Sequence, residues 1–234
     1  MFDQINFREP VKAALLFGSQ SRGDAVAGSD TDVAVFANAA SAAQLIEIKR
    51  DLVLQCLRES TINFSVYSTK TAKAMALQGS LYLWHLKLEG RPLFDHRFLE
   101  ELFYNLHPYS KAKAAEDIET FATVLSDMQI ALLRGSDTVY FEAATAFSIM
   151  RSLGMMMGAL TGHFIFSRIG PVRYLAETLG NQFLFTDADA CRLLSARLAY
   201  AGKSRSDINI SVVEMRETVE KLATVLQAVK ERLK

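Results

Sequence analysis

Two acidic residues next to an apolar run have the clearest potential for chemistry in this sequence. Asp30 and Asp32 precede the apolar residues at 33–36. The spacing i, i+2 places both side chains on one face of a strand, because strand side chains alternate. Two neighbouring carboxylates repel each other unless a divalent cation neutralises them. The pair therefore indicates a metal site at the beginning of a strand.

A glycine–serine pair upstream adds a possible partner for that metal. Gly18 and Ser19 follow a short apolar run at 15–17. Glycine has no Cβ, so a bulky group can approach the backbone, and the serine hydroxyl with nearby N–H groups could cradle a phosphate. Mg²⁺ binds one or two carboxylates together with phosphate oxygens. Asp30 and Asp32 are thus expected to hold Mg²⁺ that bridges a phosphate.

Length and composition fit a globular protein with one large domain or two small ones. The chain has 234 residues, half of them hydrophobic, with 26 basic and 26 acidic residues. This balance gives no indication of a nucleic-acid or membrane partner. Cys56 and Cys191 have no metal-ligand spacing, which fits a reducing compartment. The N-terminus lacks the apolar core of a signal peptide, and the apolar stretch at 155–160 is short for a membrane span, so we predict a cytoplasmic protein.

The first part of the chain combines strand and helix patterns. Strands are predicted at 11–17, 30–36 and 61–67, with a helical turn or loop between the first two. Helices are predicted at 41–59, with Ser41 as N-cap, and at 69–89, ending at Gly90. The segment 91–95 is interpreted as leaving the domain.

Beyond residue 97 the sequence is helical throughout. Glycine and proline breaks separate six predicted helices, at 98–106, 110–134, 137–162, 171–180, 187–201 and 208–233. Long helices joined by short turns predict an antiparallel bundle. The expected fold class is α+β, with a short mixed sheet and helices over residues 1–97 and an all-α bundle over 98–234.

The motif G-S-x-S-R-G followed by S-D-x-D resembles the nucleotidyltransferase superfamily that includes DNA polymerase beta. More narrowly it resembles the minimal and aminoglycoside nucleotidyltransferases, over about residues 11–95. The resemblance implies that Asp30 and Asp32 are catalytic Mg²⁺ ligands. The residues it assigns to nucleotide binding are Gly18, Ser19, Arg22, Gly23 and Ser29. For Arg22 an alternative role is an ion pair with Asp24 or Asp30.

The implied activity is transfer of an NMP from an NTP, with ATP favoured, to a hydroxyl group. A small molecule and a side chain of a partner protein are both open as acceptors. The helical half resembles the acceptor-binding bundle of such enzymes. Its methionine-rich helix around 150–157 favours a homodimer, because its apolar surface is more than one bundle is expected to bury.

The third carboxylate of the family pattern is replaced by Asn63. That acid normally binds metal or serves as general base, and an amide cannot accept the proton at neutral pH. A base from the helical half could substitute, with Glu142 preferred and Glu116 and Asp117 as further candidates. Slow turnover is a second explanation. A catalytically impaired module that binds nucleotide or a partner is the third.

The histidines give no further indication of chemistry. His85, His96 and His107 are widely spaced and are interpreted as structural or surface residues. The interval from Arg151 to His163 is too long for the Arg-to-His spacing of related RNA-cleaving bundles, so no RNase activity is predicted.

Overall fold

The computed structural model describes residues 5–23, 30–56, 62–95, 97–135, 138–202 and 209–234. It divides into two compact units, Met1–Pro108 and Tyr109–Lys234. Within the described residues the first unit contains all four strands, and the second is helical. The predicted α+β class is therefore confirmed.

A four-stranded mixed sheet forms the centre of the first unit. Its strands are β1 (Val11–Phe17), β2 (Thr31–Ala37), β3 (Ile62–Ser68) and β4 (Arg91–Asp95), in the order β3-β2-β1-β4. β1 runs antiparallel to both of its neighbours, whereas β2 and β3 are parallel. The end of β1 and the beginnings of β2 and β3 consequently lie at the same end of the sheet.

Helices cover both faces of this sheet. The helices of the unit are α1 (Ser19–Arg22), α2 (Ala42–Gln55), α3 (Thr69–Leu77), α4 (Leu81–Glu89) and α5 (Phe98–Tyr104), and all but α1 contribute buried residues to the two cores. Leu52 of α2 packs in one core with Val33 and Phe64, while α3, α4 and α5 pack in the other core around Leu15 and Phe36. Ser41 caps α2 as predicted, since its hydroxyl accepts a hydrogen bond from the Gln44 backbone N–H at 3.3 Å.

Two predicted features of the first unit were wrong. The single helix at 69–89 is interrupted at Gly79, whose φ of +69° is unsuited to a helix and whose position lies against the Pro108 carbonyl. The segment 91–95 does not leave the domain, because it forms β4 and pairs with β1.

The first unit also extends beyond residue 97. Phe98, Leu99 and Leu102 of α5 are buried in the same core as β1 and β2. His107 is held there too, because its N–H donates to the Ala76 carbonyl at 3.0 Å and its carbonyl accepts from the Trp84 indole at 3.0 Å. The structure therefore places the division after α5, whereas the sequence placed it before that helix.

The second unit is built around its most apolar helix. The helices are α6 (Lys111–Leu133), α7 (Val139–Leu160), α8 (Gly170–Leu179), α9 (Asp187–Tyr200) and α10 (Val212–Leu233), close to the predicted ranges. By length and composition α7 is apolar enough to cross a membrane, but 61% of its most apolar window is buried inside the structure. Met150, Met156 and Met157 are buried within the unit. Since this burial accounts for the methionines, they no longer argue for a homodimer, which stays a prediction.

Candidate functional site

The predicted acidic strand and the glycine–serine turn meet at one end of the sheet. Asp32 pairs with Phe17 on one side and with Asn63 on the other, so the three side chains form a row across β1, β2 and β3. The Asn63 amide Nδ2 lies 3.4 Å from Asp32 Oδ1. Asn63 is thus a direct neighbour of Asp32.

Gly18 brings the backbone close to the Asp32 carboxylate. Its φ of +76° and ψ of −152° lie in a region that essentially only glycine adopts. A Cβ at this position would lie 3.2 Å from Asp32 Oδ2. The absence of a side chain at Gly18 therefore keeps the space beside this carboxylate oxygen open.

Asp30 stands immediately before β2 and is half-buried. Strand alternation places it on the same side as Asp32. Across the described ranges, no group of three or more His, Cys, Asp and Glu side chains lies close enough to hold a metal ion. The available donors are instead two carboxylates and the neighbouring amide of Asn63. These are oxygen donors of the type Mg²⁺ takes when other ligands come from phosphate or water.

The turn after Gly18 forms the short helix α1, which ends at Gly23. Gly23 adopts a left-handed conformation, with φ +77°, and its N–H donates to the Ser19 carbonyl. Four of the five predicted nucleotide-binding residues thus lie on this one turn, namely Gly18, Ser19, Arg22 and Gly23. The fifth, Ser29, lies outside the described residues, as does Asp24, one of the two acids considered as partners of Arg22.

Arg22 pairs with an acid that the sequence reasoning did not consider. Its Nη1 lies 2.7 Å from Glu89 Oε2, at the end of α4. The same oxygen is 2.9 Å from His85 Nε2. His85 also packs edge-on against Phe17, with ring centroids 5.6 Å apart. His85 is therefore part of this end of the unit, which is more specific than the structural or surface role predicted for it.

Tyr82 brings a third α4 side chain to the same region. Its ring packs edge-on against Phe17 at 5.6 Å and lies 5.4 Å from the Tyr67 ring. Burial raises the pKa of the Tyr82 phenol well above its ordinary value, and the neighbouring Tyr67 and Asp32 act in the same direction. The phenol is therefore a poor candidate for a general base in this region.

The sequence contained a weak signal for these α4 residues. Tyr82, His85 and Glu89 are separated by three and four positions, which places them on one face of a helix. That spacing alone does not say which part of the chain the face meets. Only the packing of α4 against β1 brings this face of the helix to the turn after Gly18.

The candidate bases of the second unit have different environments. Glu142 lies in the first turn of α7, is 2% exposed, and accepts a hydrogen bond from the Thr138 hydroxyl at 2.9 Å. An acid in the first turn of a helix is usually exposed, whereas Glu142 is buried. Glu116 and Asp117 both pair with Lys113, and Asp117 also accepts from the Tyr109 hydroxyl.

Arg151 and His163 each have contacts near the end of α7. Arg151 lies inside α7, and its Nε donates to the Ser167 carbonyl at 3.1 Å. His163 follows the end of α7 and packs beside Tyr174, with ring centroids 5.8 Å apart. Both side chains thus have structural contacts around the end of this helix.

Comparison with known proteins is consistent with this fold. Residues 4–81 match the family described as polymerase beta, nucleotidyltransferase. Among solved structures, the chain is similar to spectinomycin adenyltransferase AAD(9) from Enterococcus faecialis, crystallised with ATP and spectinomycin. The two share 14% identity and a TM-score of 0.52, over 94% of this chain and 93% of the other. No curated protein gives a significant match.

The family match over residues 4–81 and the fold support a nucleotidyltransferase enzyme. The matched family is the polymerase beta type of nucleotidyltransferase, and the match covers a third of the chain, within the first unit. The predicted enzyme class is confirmed at this level. The structural similarity extends over both units, and at this identity it establishes the fold.

Proposed function

We propose that the chain is a Mg²⁺-dependent nucleotidyltransferase that moves an NMP from an NTP, preferably ATP, to a hydroxyl of a small molecule. The observation that carries the proposal is the placement of Gly18 against Asp32. A Cβ on Gly18 would lie 3.2 Å from the Asp32 carboxylate, so an open backbone and an acidic strand converge on one place. A triphosphate with its cation needs both features.

ATP and a small-molecule acceptor are favoured by the similar adenyltransferase. That protein was crystallised with ATP and spectinomycin, and its similarity to this chain covers nearly the whole length of both. An aminoglycoside-type acceptor with several hydroxyl groups therefore belongs among the first compounds to test. A side chain of a partner protein is the other acceptor class. The cytoplasmic location also remains a prediction.

In this proposal the first unit binds and orients the nucleotide. Gly18 and Ser19 present backbone and hydroxyl groups to the triphosphate. Asp30 and Asp32 would hold Mg²⁺, which would neutralise charge on the phosphates and the leaving pyrophosphate. Orientation of the α-phosphate for in-line attack by the acceptor hydroxyl is the main contribution of these residues.

The helical second unit is the proposed acceptor-binding part. Glu142 is the preferred general base, since its carboxylate is buried and held by Thr138. Burial of an acid in a first helical turn also fits a purely structural role, in which Glu142 fixes the start of α7. Glu142→Gln keeps the size of the side chain and removes its basicity, so it separates these roles when activity and stability are both measured.

A catalytically impaired nucleotide-binding or partner-binding module is the second candidate function. The observation in its favour is Asn63, an amide 3.4 Å from Asp32 in place of a carboxylate. Asn63→Asp separates the two candidates. A gain of transfer activity would indicate a decayed site, whereas unchanged activity in an active enzyme indicates a base supplied elsewhere.

The experiment is a transfer assay with each NTP, Mg²⁺ and a panel of aminoglycosides. We expect pyrophosphate release with ATP and at least one acceptor. The double variant Asp30→Ala/Asp32→Ala should reduce release to background, because two acidic donors on the strand are lost. A matched control is Glu47→Ala/Asp51→Ala, which removes two acids from the exposed side of α2. Binding of no NTP by the wild-type protein contradicts the first candidate function and the nucleotide-binding form of the second, while binding without release in any combination supports the second.

A further inference from the structure

The turn at 18–23, which the proposed function assigns to the triphosphate, has little apolar support of its own. Its helix α1 is a single turn of four residues, and none of these residues is buried. A helix this short is not stable in isolation, because nucleation is costly and few hydrogen bonds repay it. The orientation of the turn therefore depends on contacts with neighbouring elements.

Two adjacent residues of α1 bind the same residue of α4. The Ser21 hydroxyl donates to the Glu89 backbone carbonyl. The Arg22 guanidinium Nη1 donates to Glu89 Oε2 at 2.7 Å. These two bonds join the turn to a position 67 to 68 residues further along the chain. Glu89 thus holds α1 by both its main chain and its side chain.

The carboxylate at the centre of these contacts is itself held in place. Glu89 Oε2 also lies 2.9 Å from His85 Nε2, one helical turn earlier in α4. The side chains of Arg22, Glu89 and His85 are only 18%, 19% and 14% exposed. Charge-assisted bonds at this degree of burial are less screened than those of an exposed ion pair.

The helix α4 provides a rigid base for the cluster. Leu83 and Leu86 lie on the same short helix and are fully buried in the core of the first unit. Because α4 is fixed by this packing, a bond to its last residue restrains the turn relative to β1. Residues 82, 85 and 89 also lie beyond the part of the chain that matches the family.

We propose that Glu89 is a positioning residue of the nucleotide site, which fixes the turn at 18–23 by binding Arg22 and Ser21. The inference rests on the proposed function only in taking the turn at 18–23 to bind the triphosphate. That Glu89 orders the turn is a separate statement and can be measured without any nucleotide.

The first measurement is amide hydrogen exchange of the full-length protein without ligand. In Glu89→Ala we expect faster exchange in residues 18–23, because the bond to the Arg22 side chain is lost. Glu101→Ala is the matched control, since it removes an exposed ion pair with Lys73 in the same unit and should leave the turn unchanged. Equal exchange of the turn in Glu89→Ala and wild type would overturn the proposal, whether or not the protein binds ATP.

The second measurement is the dissociation constant for ATP with Mg²⁺. Loss of a residue that orients a metal ligand typically costs about 10- to 100-fold in affinity, and we expect an increase in the dissociation constant of this order for Glu89→Ala. Glu89→Gln retains an oxygen acceptor, so its dissociation constant for ATP should lie between those of the wild type and Glu89→Ala. If Glu89 acts through Arg22, the double variant Arg22→Ala/Glu89→Ala binds no more weakly than Arg22→Ala. Additive losses would overturn the inference, as would a lower thermal stability of Glu89→Ala with unchanged ATP affinity.

When the wild-type protein itself binds no NTP, the proposed function fails, and the exchange measurement then decides only whether Glu89 orders the turn. When ATP binds but the turn exchanges equally in both proteins, the proposed function stands and the positioning role fails. The two failures are therefore distinguishable.

Discussion

At the scale of single residues, the candidate site depends on how closely a backbone approaches a carboxylate. Gly18 has both a positive φ and a Cβ direction that points at Asp32. These are separate constraints, since the first concerns the energy of the backbone and the second the space beside the acid. A substitution at Gly18 should therefore affect stability and chemistry together.

We expect Gly18→Ala to be less stable than wild type by about 1–3 kcal/mol, because its backbone lies in a region costly for other residues. We also expect it to lose most transfer activity, because the new methyl group lies beside Asp32 Oδ2. Gly135→Ala is the control, since Gly135 has φ +82° and open space around its Cβ position. Urea unfolding and pyrophosphate release measure the two effects. Full activity in Gly18→Ala would contradict the crowding argument.

The residues that could be predicted from the sequence are those contained in one continuous motif. Gly18 and Ser19 follow one short apolar run, whereas Asp30 and Asp32 stand at the beginning of another, and this local pattern indicates where one strand ends and the next begins. Asn63 lies on a strand that alternation predicted, while its pairing beside Asp32 is a finding of the structure. His85 and Glu89 were missed because their role arises from the packing of α4 onto β1, which no local pattern records.

At the scale of secondary-structure elements, the errors have two causes. The helical pattern across 69–89 continues through Gly79, so periodicity did not reveal the left-handed residue that separates α3 from α4. β4 was missed because it is short and pairs with β1, a strand far away in the sequence. Long periodic helices, by contrast, were predicted nearly to their ends.

The N-terminus of α10 gives a prediction about pH. Glu214 and Ser211 form a capping box, and Glu214 Oε1 also accepts from Arg192 at 3.0 Å. The hydrogen bond from the Ser211 backbone N–H, followed by those from Arg192 and the Ser211 hydroxyl, lowers the pKa of Glu214 to about 2 from an ordinary value of 4.5. The folded protein therefore holds this proton less tightly than the unfolded chain. The stabilisation that ionised Glu214 gives to the folded protein is complete above about pH 4.5 and is lost as the pH falls through about 2.

Glu214→Gln should consequently be less stable than wild type near pH 6, and the difference should shrink as the pH falls toward 2. The measurement is the free energy of unfolding at several pH values. Glu217→Gln, an exposed position on the same helix, is the matched control. A difference between Glu214→Gln and wild type that stays constant over this range contradicts the assignment.

At the scale of the whole molecule, the position of the division between the units can be tested by truncation. Residues 98–108 carry Phe98, Leu99, Leu102 and Leu106, each no more than 7% exposed in the core of the first unit. Burial of each such side chain stabilises by about 1.5–3 kcal/mol. Their removal should therefore prevent stable folding of a fragment that ends at residue 97.

We expect a fragment of residues 1–108 to unfold cooperatively and a fragment of residues 1–97 to show no cooperative transition. Circular dichroism during thermal unfolding, with the full-length chain as reference, measures this difference. The substitution Leu77→Ala in the longer fragment is a control for general apolar loss, because Leu77 is 60% exposed. Equal cooperativity of the two fragments contradicts the assignment of α5 to the first unit.

The composition of β4 has a consequence for how this protein behaves at high concentration. β4 is the last strand on its side of the sheet, has only five residues, and contains Pro92 beside an irregularity in its pairing with β1. Proline has no backbone N–H to offer, and short or irregular edge strands are poor templates for strands of other molecules. The four-stranded sheet thus ends at β4 in a way that protects the protein from edge-to-edge aggregation.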